Sequence, residues 1–438
     1  MNHSNNQDSS SPVFGFWTAS ALVVGNMIGS GILLLPSALA LYGGISIIGW
    51  IFTTTGALLL SFVFMELTRR FPLIGGPYVF ARNAFGDLAG FIVAYSYWIS
   101  ILCGNAAIAI ALTGYLSVFF PIIGKLDTVS LMTSLVCLWA LTAVNVAGIR
   151  LSSRIQFTTA LLKILLLFGI ACAGLIYFDP VHFIPFNQSA ESDLGAITST
   201  AALTLWAFLG LESATIPADK IKDAERIIPR ATLFGTAAVA VVYVLITVSI
   251  MGLLSPGELV NSNAPFADAI KVILGPAAGY ITALIGVIAC AGALNGWIFL
   301  QGQMPLAASL DDLFPAFFGK LSSRQAPVRG IVFSSGLISF LLIMNYTAAL
   351  VEQFTFVILL ATLATLLPYL ISAMAQLKFN MAERKQRAIK MSMIVTTLAF
   401  IYSAWAVLGL GMNAIMWGVL CILTGIPIYG VIKTRGKV

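Results

Sequence analysis

The sequence predicts an all-α membrane protein with twelve transmembrane helices, and three observations support that fold class. Hydrophobic residues make up 59% of the 438-residue chain and charged residues only 9%, with a mean hydropathy of +0.97. Soluble chains carry about 25% charged residues. Apolar stretches of about 20 residues, long enough to cross ~30 Å of hydrocarbon, recur along the whole chain. Lysine and arginine concentrate in alternate loops between these stretches.

The apolar stretches leave little sequence between them, so one membrane domain is expected at 13–432, with cytoplasmic tails at 1–12 and 433–438. The predicted spans lie at approximately 13–41, 44–66, 88–119, 129–148, 156–177, 194–217, 230–253, 277–302, 329–346, 352–376, 391–410 and 413–432.

The distribution of basic residues predicts an even number of spans with both termini in the cytoplasm. Of the 23 lysines and arginines, Lys125 and Lys271 fall in loops that this topology places outside, and Lys163 lies within a span. All the others lie in predicted inside segments, as the positive-inside rule requires. The net charge of +6 therefore follows from topology and indicates no nucleic-acid partner. The expected location is the inner or plasma membrane.

Residue types that build metal and catalytic centres are scarce at membrane depth. The five cysteines fall in apolar spans without C-x-x-C spacing, and the two histidines lie in a tail and an outer loop. We expect no metal site and no cofactor. An intramembrane enzyme would need clustered acids or histidines, whereas the spans offer essentially Glu212 alone. The chain is therefore not expected to be an enzyme.

The first span contains an interruption near its middle, in "GNMIGSGILLLP" at residues 25–36. Glycine costs about 1 kcal/mol in a helix interior, and Pro36 cannot donate a backbone hydrogen bond. Two interpretations remain open. Gly25 and Gly29 form a G-x-x-x-G pair that would let another helix pack closely. Alternatively, the helix unwinds so that its backbone can bind a ligand.

The sixth span repeats the same feature, in "TLWAFLGLESA" at residues 204–214, with Gly210 central and the acid Glu212 beside it. Two interrupted helices five spans apart indicate two five-helix halves and a substrate site at the interruptions. The N-terminus of the second half-helix carries partial positive charge and could hold a substrate carboxylate. A channel would not need this arrangement.

Four further residues are polar or aromatic at unusual depth. Trp206 lies one turn before Gly210, and Trp297 lies in "GALNGWIF" of the eighth span. An indole face can bind a cation, and simple packing is the alternative. Lys163 either snorkels to the interface or points into the bundle as a proton carrier or cation mimic. Asn105 either contacts a ligand or makes an interhelical hydrogen bond.

Together, "GNMIGSGILLLP", "TLWAFLGLES" with its following "PADKIKDAERIIPRA", "GALNGW" and "LLPYL" resemble the amino acid–polyamine–organocation (APC) superfamily. The chain is most similar to its basic amino acid/polyamine antiporters, of the arginine/agmatine and putrescine/ornithine exchanger type. The resemblance implies a five-plus-five inverted repeat of the LeuT type. Repeat one would span about 13–177 and repeat two about 194–376, followed by two helices at about 391–432.

The resemblance also assigns roles, among which Ser30 and Gly31 match the carboxylate site. The implied substrate-binding residues are Ile28, Ser30, Gly31, Ser100, Asn105, Trp206, Gly210, Trp297 and Ala361. The implied gating residues are Tyr97, Trp206, Glu212, Trp297 and Tyr369.

Two departures affect the expected substrate and coupling. Ile101 is bulky and Ala361 lacks a hydroxyl where arginine exchangers use small or polar groups, which argues against arginine. Lys163 resembles the lysine that replaces a sodium ion in proton-coupled carriers of the superfamily. Glu212 and Lys163 are therefore the proton-coupling candidates.

The leading expectation is an amino acid/amine antiporter, and a proton-coupled amino-acid symporter or exporter is the alternative. The expected partners are an amino acid or amine, the lipid bilayer and, for the alternative, a proton. A homodimer is compatible with the sequence, which leaves the oligomeric state open.

Overall fold

The computed structural model describes residues 14–148, 163, 167–172, 174–216, 218, 221–344, 346–382 and 387–435, without the side chains of 30, 387–389 and 435. The described residues fold into helices and connecting turns. Ten helical stretches are long and apolar enough to cross a membrane, and two shorter apolar helices accompany them. Each coincides with one of the twelve predicted spans. The predicted tail at 1–12 and much of the predicted fifth span lie outside the described residues.

The helices follow one another in the order of the predicted spans. They are α1 (Phe16–Met27), α2 (Ser30–Leu39), α3 (Ser46–Arg70), α4 (Pro77–Phe85), α5 (Asp87–Ser117), α6 (Ile122–Lys125), α7 (Asp127–Ala147), α8 (Leu167–Ile176), α9 (Asp193–Phe208), α10 (Ala224–Leu253), α11 (Pro256–Val260), α12 (Pro265–Leu274), α13 (Pro276–Leu310), α14 (Val328–Met344), α15 (Leu350–Ala382), α16 (Arg387–Ala406), α17 (Met412–Leu423) and α18 (Gly425–Arg435).

Two groups of helices pack among themselves and against each other. Helices α1, α3, α9 and α10 form one group, and α5, α7, α13 and α14 form the other. Helix α5 packs extensively against α13 and α15, and its apolar window is 89% buried. The window of α17 and α18 is only 11% buried, so this helix pair lies at the periphery. The broken first span, α1 with α2, has a fully buried apolar window and is central to the molecule.

The first predicted span is divided where its glycines cluster. Helix α1 ends at Met27, and Ile28 is extended with ψ 94° before α2 begins at Ser30. Helix α2 continues through Pro36, so the proline does not cause the break. A Cβ on Gly29 would lie 2.7 Å from the Cβ of Ala293 in α13. Gly29 therefore permits close helix packing at the same point where the helix is divided, and binding of a ligand by the divided backbone stays a prediction.

Candidate substrate site

The break between α1 and α2 exposes backbone N–H groups with partial positive charge and backbone carbonyl groups with partial negative charge. The first N–H groups of α2 have no partner within their own helix, and the N-cap residue, Gly29, has no side chain to cap them. Their partial positive charge favours an anion such as a carboxylate. Gly31 lies in this first turn, as does Ser30, whose side chain is outside the described part of the chain. The carbonyl groups at the end of α1 form the opposite, electronegative edge of the break.

Lys163 donates hydrogen bonds to the carbonyl groups of that electronegative edge. Its ammonium donates hydrogen bonds to the carbonyl oxygens of Gly25, at 3.1 Å, and Ile28, at 2.8 Å. The side chain is 1% exposed, so it points into the bundle and does not snorkel. A cation at the C-terminus of a helix is favoured by the helix dipole. Lys163 thus supplies hydrogen-bond donors to two carbonyl groups at the break.

The second break follows α9 and depends on Gly210. Helix α9 ends at Phe208, Leu209 is extended, and Gly210 has a φ of +104°, which disfavours residues with a side chain. A Cβ on Gly210 would lie 3.2 Å from both Asn26 and Trp297. Glycine is therefore required by the turn and by the close approach of α1 and α13.

Tyr243 of α10 connects the two breaks, and sequence reasoning missed it. Its buried hydroxyl donates to the carbonyl of Met27, and the carbonyl of Ala207 lies 3.1 Å from the same hydroxyl. These carbonyls belong to the last turns of α1 and α9, which are separated by 180 positions in the sequence. A tyrosine in the middle of the seventh span was the only available signal.

A small cavity lies between the two breaks. Asn26, Met27, Gly29, Gly31, Ile108, Trp206, Leu209 and Trp297 line it. Its volume of about 10 Å³ is close to the minimum for one water molecule. An amino acid or a diamine does not fit, so this conformation is closed around the site.

Two tryptophans, Trp206 and Trp297, line the cavity, and their predicted roles as a cover and a gate stay predictions. Trp206 is 5% exposed, and its ring extends from Gly31, where a Cβ would lie 3.4 Å away, to Gly104, where it would lie 3.1 Å away. The Trp206 indole N–H is buried with no hydrogen-bond partner among the described residues. Trp297 instead donates its indole N–H to the carbonyl of Asn26 at 3.1 Å. Trp206 therefore has a donor available for a ligand, and Trp297 is fixed to α1.

The structure brings together Glu212, Tyr97 and Tyr369, the three residues of the predicted distal gate, and their gating role stays a prediction. Glu212 is completely buried just after the second break. Tyr97 of α5 donates its hydroxyl to one carboxylate oxygen, and Tyr369 of α15 donates to the other at 2.5 Å. The three residues join three spans through one carboxylate, so separating these helices requires both hydrogen bonds to break.

Comparison with known proteins identifies the family. The profile of the amino acid permease family matches residues 14–430. The chain belongs to this family, which is part of the APC superfamily.

Three relatives share this permease's whole length or nearly so. The putrescine transporter PotE of Haemophilus influenzae is 33% identical over 94% of this chain and 95% of its own. A putative arginine/ornithine antiporter of Bacillus subtilis is 33% identical over 90% and 91%. The cadaverine/lysine antiporter of Escherichia coli is 32% identical over 85% of each chain.

Other predicted site residues of the permease do not line the cavity in this conformation. Asn105 is buried and donates its amide to Gln301 of α13 at 2.6 Å, leaving its own oxygen without a partner among the described residues. The Ser100 hydroxyl is hydrogen-bonded to that of Thr365. Ala361 is completely buried on α15. Gln301, which the sequence analysis missed, accepts the hydrogen bond from Asn105 and so joins α5 to α13.

Substitution of Trp206 tests its role as a cover. We expect Trp206→Leu to lower substrate affinity about tenfold or more and Trp206→Phe to lower it only a few-fold, because a flat aromatic face is worth about 0.5–2 kcal/mol to a cationic ligand. Binding is measured in detergent with the purified permease. Trp417→Leu, at a half-exposed tryptophan on peripheral α17, is the matched control and should bind like the parent. Equal binding by both Trp206 variants would mean that Trp206 only packs.

Proposed function

We propose that the permease is a secondary active transporter that exchanges an amino acid for an amine or polyamine by alternating access. This proposal rests on the closed cavity between the two broken helices. A cavity of about 10 Å³ can admit or release an amino acid or a diamine only if the surrounding helices move. The relatives named as a putrescine transporter and as antiporters of basic amino acids support exchange as the mode of transport.

The proposed architecture has twelve spans in a five-plus-five inverted repeat, with both termini in the cytoplasm. The two packing groups support it. One group contains the first and second spans of each repeat, and the other group contains the third and fourth spans of each repeat. Repeat one would cover 13–177 and repeat two 194–376. Helices α16, α17 and α18 would form the two additional spans.

The proposed binding mode uses both ends of the substrate. The N–H groups at the start of α2 would hold the carboxylate of an amino acid, with Gly31 leaving room for it. Trp206 would cover the substrate and offer its indole N–H, while Trp297 would separate the site from the gate. Asn105 would join the site after release from Gln301. Opening of the Tyr97–Glu212–Tyr369 gate would then free the substrate on one side.

Proton-coupled amino-acid symport is the second candidate function, and the geometry of Lys163 favours it. An ammonium group that holds two carbonyls of the first break could release a proton to one side of the membrane when the break rearranges. Proton binding and substrate binding would then be coupled through α1. Both candidate functions use the same substrate site. Exchange requires a second substrate on the far side of the membrane, whereas symport does not.

Counterflow in proteoliposomes tests the proposed function. We expect uptake of labelled putrescine, cadaverine, ornithine or lysine only when vesicles contain an exchangeable substrate. Arginine should be exchanged least well, because Ile101 and Ala361 present no polar atom to a guanidinium. Protein-free vesicles provide the control for leakage. Uptake into substrate-free vesicles that is driven by a pH gradient alone would contradict exchange and indicate proton-coupled symport.

A further inference from the structure

A crevice unrelated to the substrate site lies where α1, α3 and α10 meet. Its volume is about 550 Å³. Phe16 at the start of α1, Met65 near the end of α3, and Phe234 and Ala237 in α10 form its apolar walls. Arg69 in the last turn of α3 and Arg230 in the second turn of α10 lie at its mouth. The crevice therefore combines an apolar slot with two guanidinium groups.

The charge at the mouth is net positive. Arg69 forms an exposed ion pair with Glu66 at 3.0 Å, and Arg230 makes no ion pair with any described residue. No acidic side chain lines the crevice in the described part of the chain. The neighbouring Arg70 points away, toward Asn380 of α15. Two arginines and one glutamate leave one positive charge, which matches the single negative charge of a phosphodiester.

Aromatic residues place the crevice at a boundary between lipid and water. The rings of Phe16, Trp17 and Phe234 form a cluster with centroid separations of 5.1–6.5 Å. Trp17 is 70% exposed, although it lies in a span. Exposed tryptophans in membrane proteins concentrate at the headgroup level. The helix ends that carry Arg69 and Arg230 lie at this same level. The guanidinium groups therefore face lipid headgroups, and the apolar walls face acyl chains.

We propose that this crevice binds one anionic phospholipid, such as phosphatidylglycerol. Arg69 and Arg230 hold the phosphate, because the planar guanidinium group forms paired hydrogen bonds to phosphate oxygens. An acyl chain fills the slot beside Phe234 and Ala237. Basic pockets between transmembrane helices suit lipid headgroups for the same reason. A soluble phosphate would gain nothing from the apolar walls.

Occupancy of the crevice would affect the helix that carries the first break. The lipid contacts α1, α3 and α10 together, and α1 supplies the carbonyls that Lys163 and Tyr243 hold. Binding therefore stabilises the position of α1 shown here. The inference stands apart from the proposed exchange activity, since it concerns a different surface and has a binding readout.

Thermal unfolding in nanodiscs of defined composition tests the proposal. We expect the parent to unfold ~5 °C higher in equimolar phosphatidylcholine and phosphatidylglycerol than in phosphatidylcholine alone. The double variant Arg69→Gln/Arg230→Gln should lose most of this shift. Arg226→Gln removes an exposed arginine on α10 that does not line the crevice, and it should keep the shift.

A second variant leaves both arginines in place and fills the slot. Ala237→Trp should also lose the shift, because the acyl chain no longer enters between the helices. Inorganic phosphate added to phosphatidylcholine nanodiscs should give no shift, whereas an equal shift would make the ligand a free anion. A full phosphatidylglycerol shift in both the double variant and Ala237→Trp would overturn the proposal.

Discussion

Gly31→Val is expected to reduce substrate binding by up to ~100-fold while the protein still folds. A Cβ at this position would lie 3.0 Å from the Cα of Ala207 and 3.4 Å from the Trp206 ring, and the two methyl groups of valine would fill a cavity of about one water molecule. Overpacking costs about 1–3 kcal/mol, and each 1.4 kcal/mol is a tenfold change in affinity. Equilibrium binding of a labelled substrate measures the effect.

Two companion variants separate binding from folding. Gly31→Ala adds only the Cβ, so an intermediate loss of about tenfold is expected. Gly336→Val places the same side chain on α14 where nothing lies within 4 Å, and it should match the parent in yield and binding. If Gly31→Val binds substrate like the parent, the glycines of the first span serve only helix packing and the substrate site lies elsewhere.

The sequence could predict the spans and the two breaks because each depends on local chemistry. Apolar length defines a span. The two breaks were indicated by a clustering of glycines with polar residues at matching positions five spans apart, since single glycines such as Gly56 and Gly104 lie in continuous helices. Glu212 was identifiable because a charged side chain at membrane depth is exceptional wherever it points, and Trp206 and Trp297 were identifiable from the small or polar residues beside them. Whether these residues bind substrate is still a prediction, because the structure shows only their arrangement.

Contacts between distant spans could not be predicted from a single sequence. Tyr243 is one of several tyrosines in apolar spans, and only the packing of α10 against α1 and α9 brings its hydroxyl to both breaks. For Asn105 the sequence left open a ligand contact or an interhelical hydrogen bond, and only the structure shows that its amide donates to Gln301, 196 positions away. The direction in which Lys163 points was also undetermined, because a lysine two turns from a helix end can reach either the interface or the bundle.

The second large effect is expected at Lys163. Lys163→Ala should abolish transport in every mode, because it leaves the carbonyls of Gly25 and Ile28 buried without partners, at a cost of about 1–3 kcal/mol each. Lys163→Gln keeps an amide donor but carries no titratable proton. Exchange should therefore survive in Lys163→Gln, whereas any uptake driven by a pH gradient should be lost. Both modes are measured in the same proteoliposome preparations.

Glu212→Gln is the complementary variant and completes the test. Tyr97 and Tyr369 each donate a hydroxyl to a separate carboxylate oxygen, whereas an amide offers only one oxygen and turns its NH₂ group toward the other tyrosine. The gate should therefore open more readily, and the dependence of exchange on pH should flatten because the variant cannot ionise. In an exchanger this change leaves the need for internal substrate intact. Retention of the parental pH profile in Glu212→Gln would exclude Glu212 as the titrating group, and unaltered transport in Lys163→Ala would likewise exclude a coupling role for Lys163.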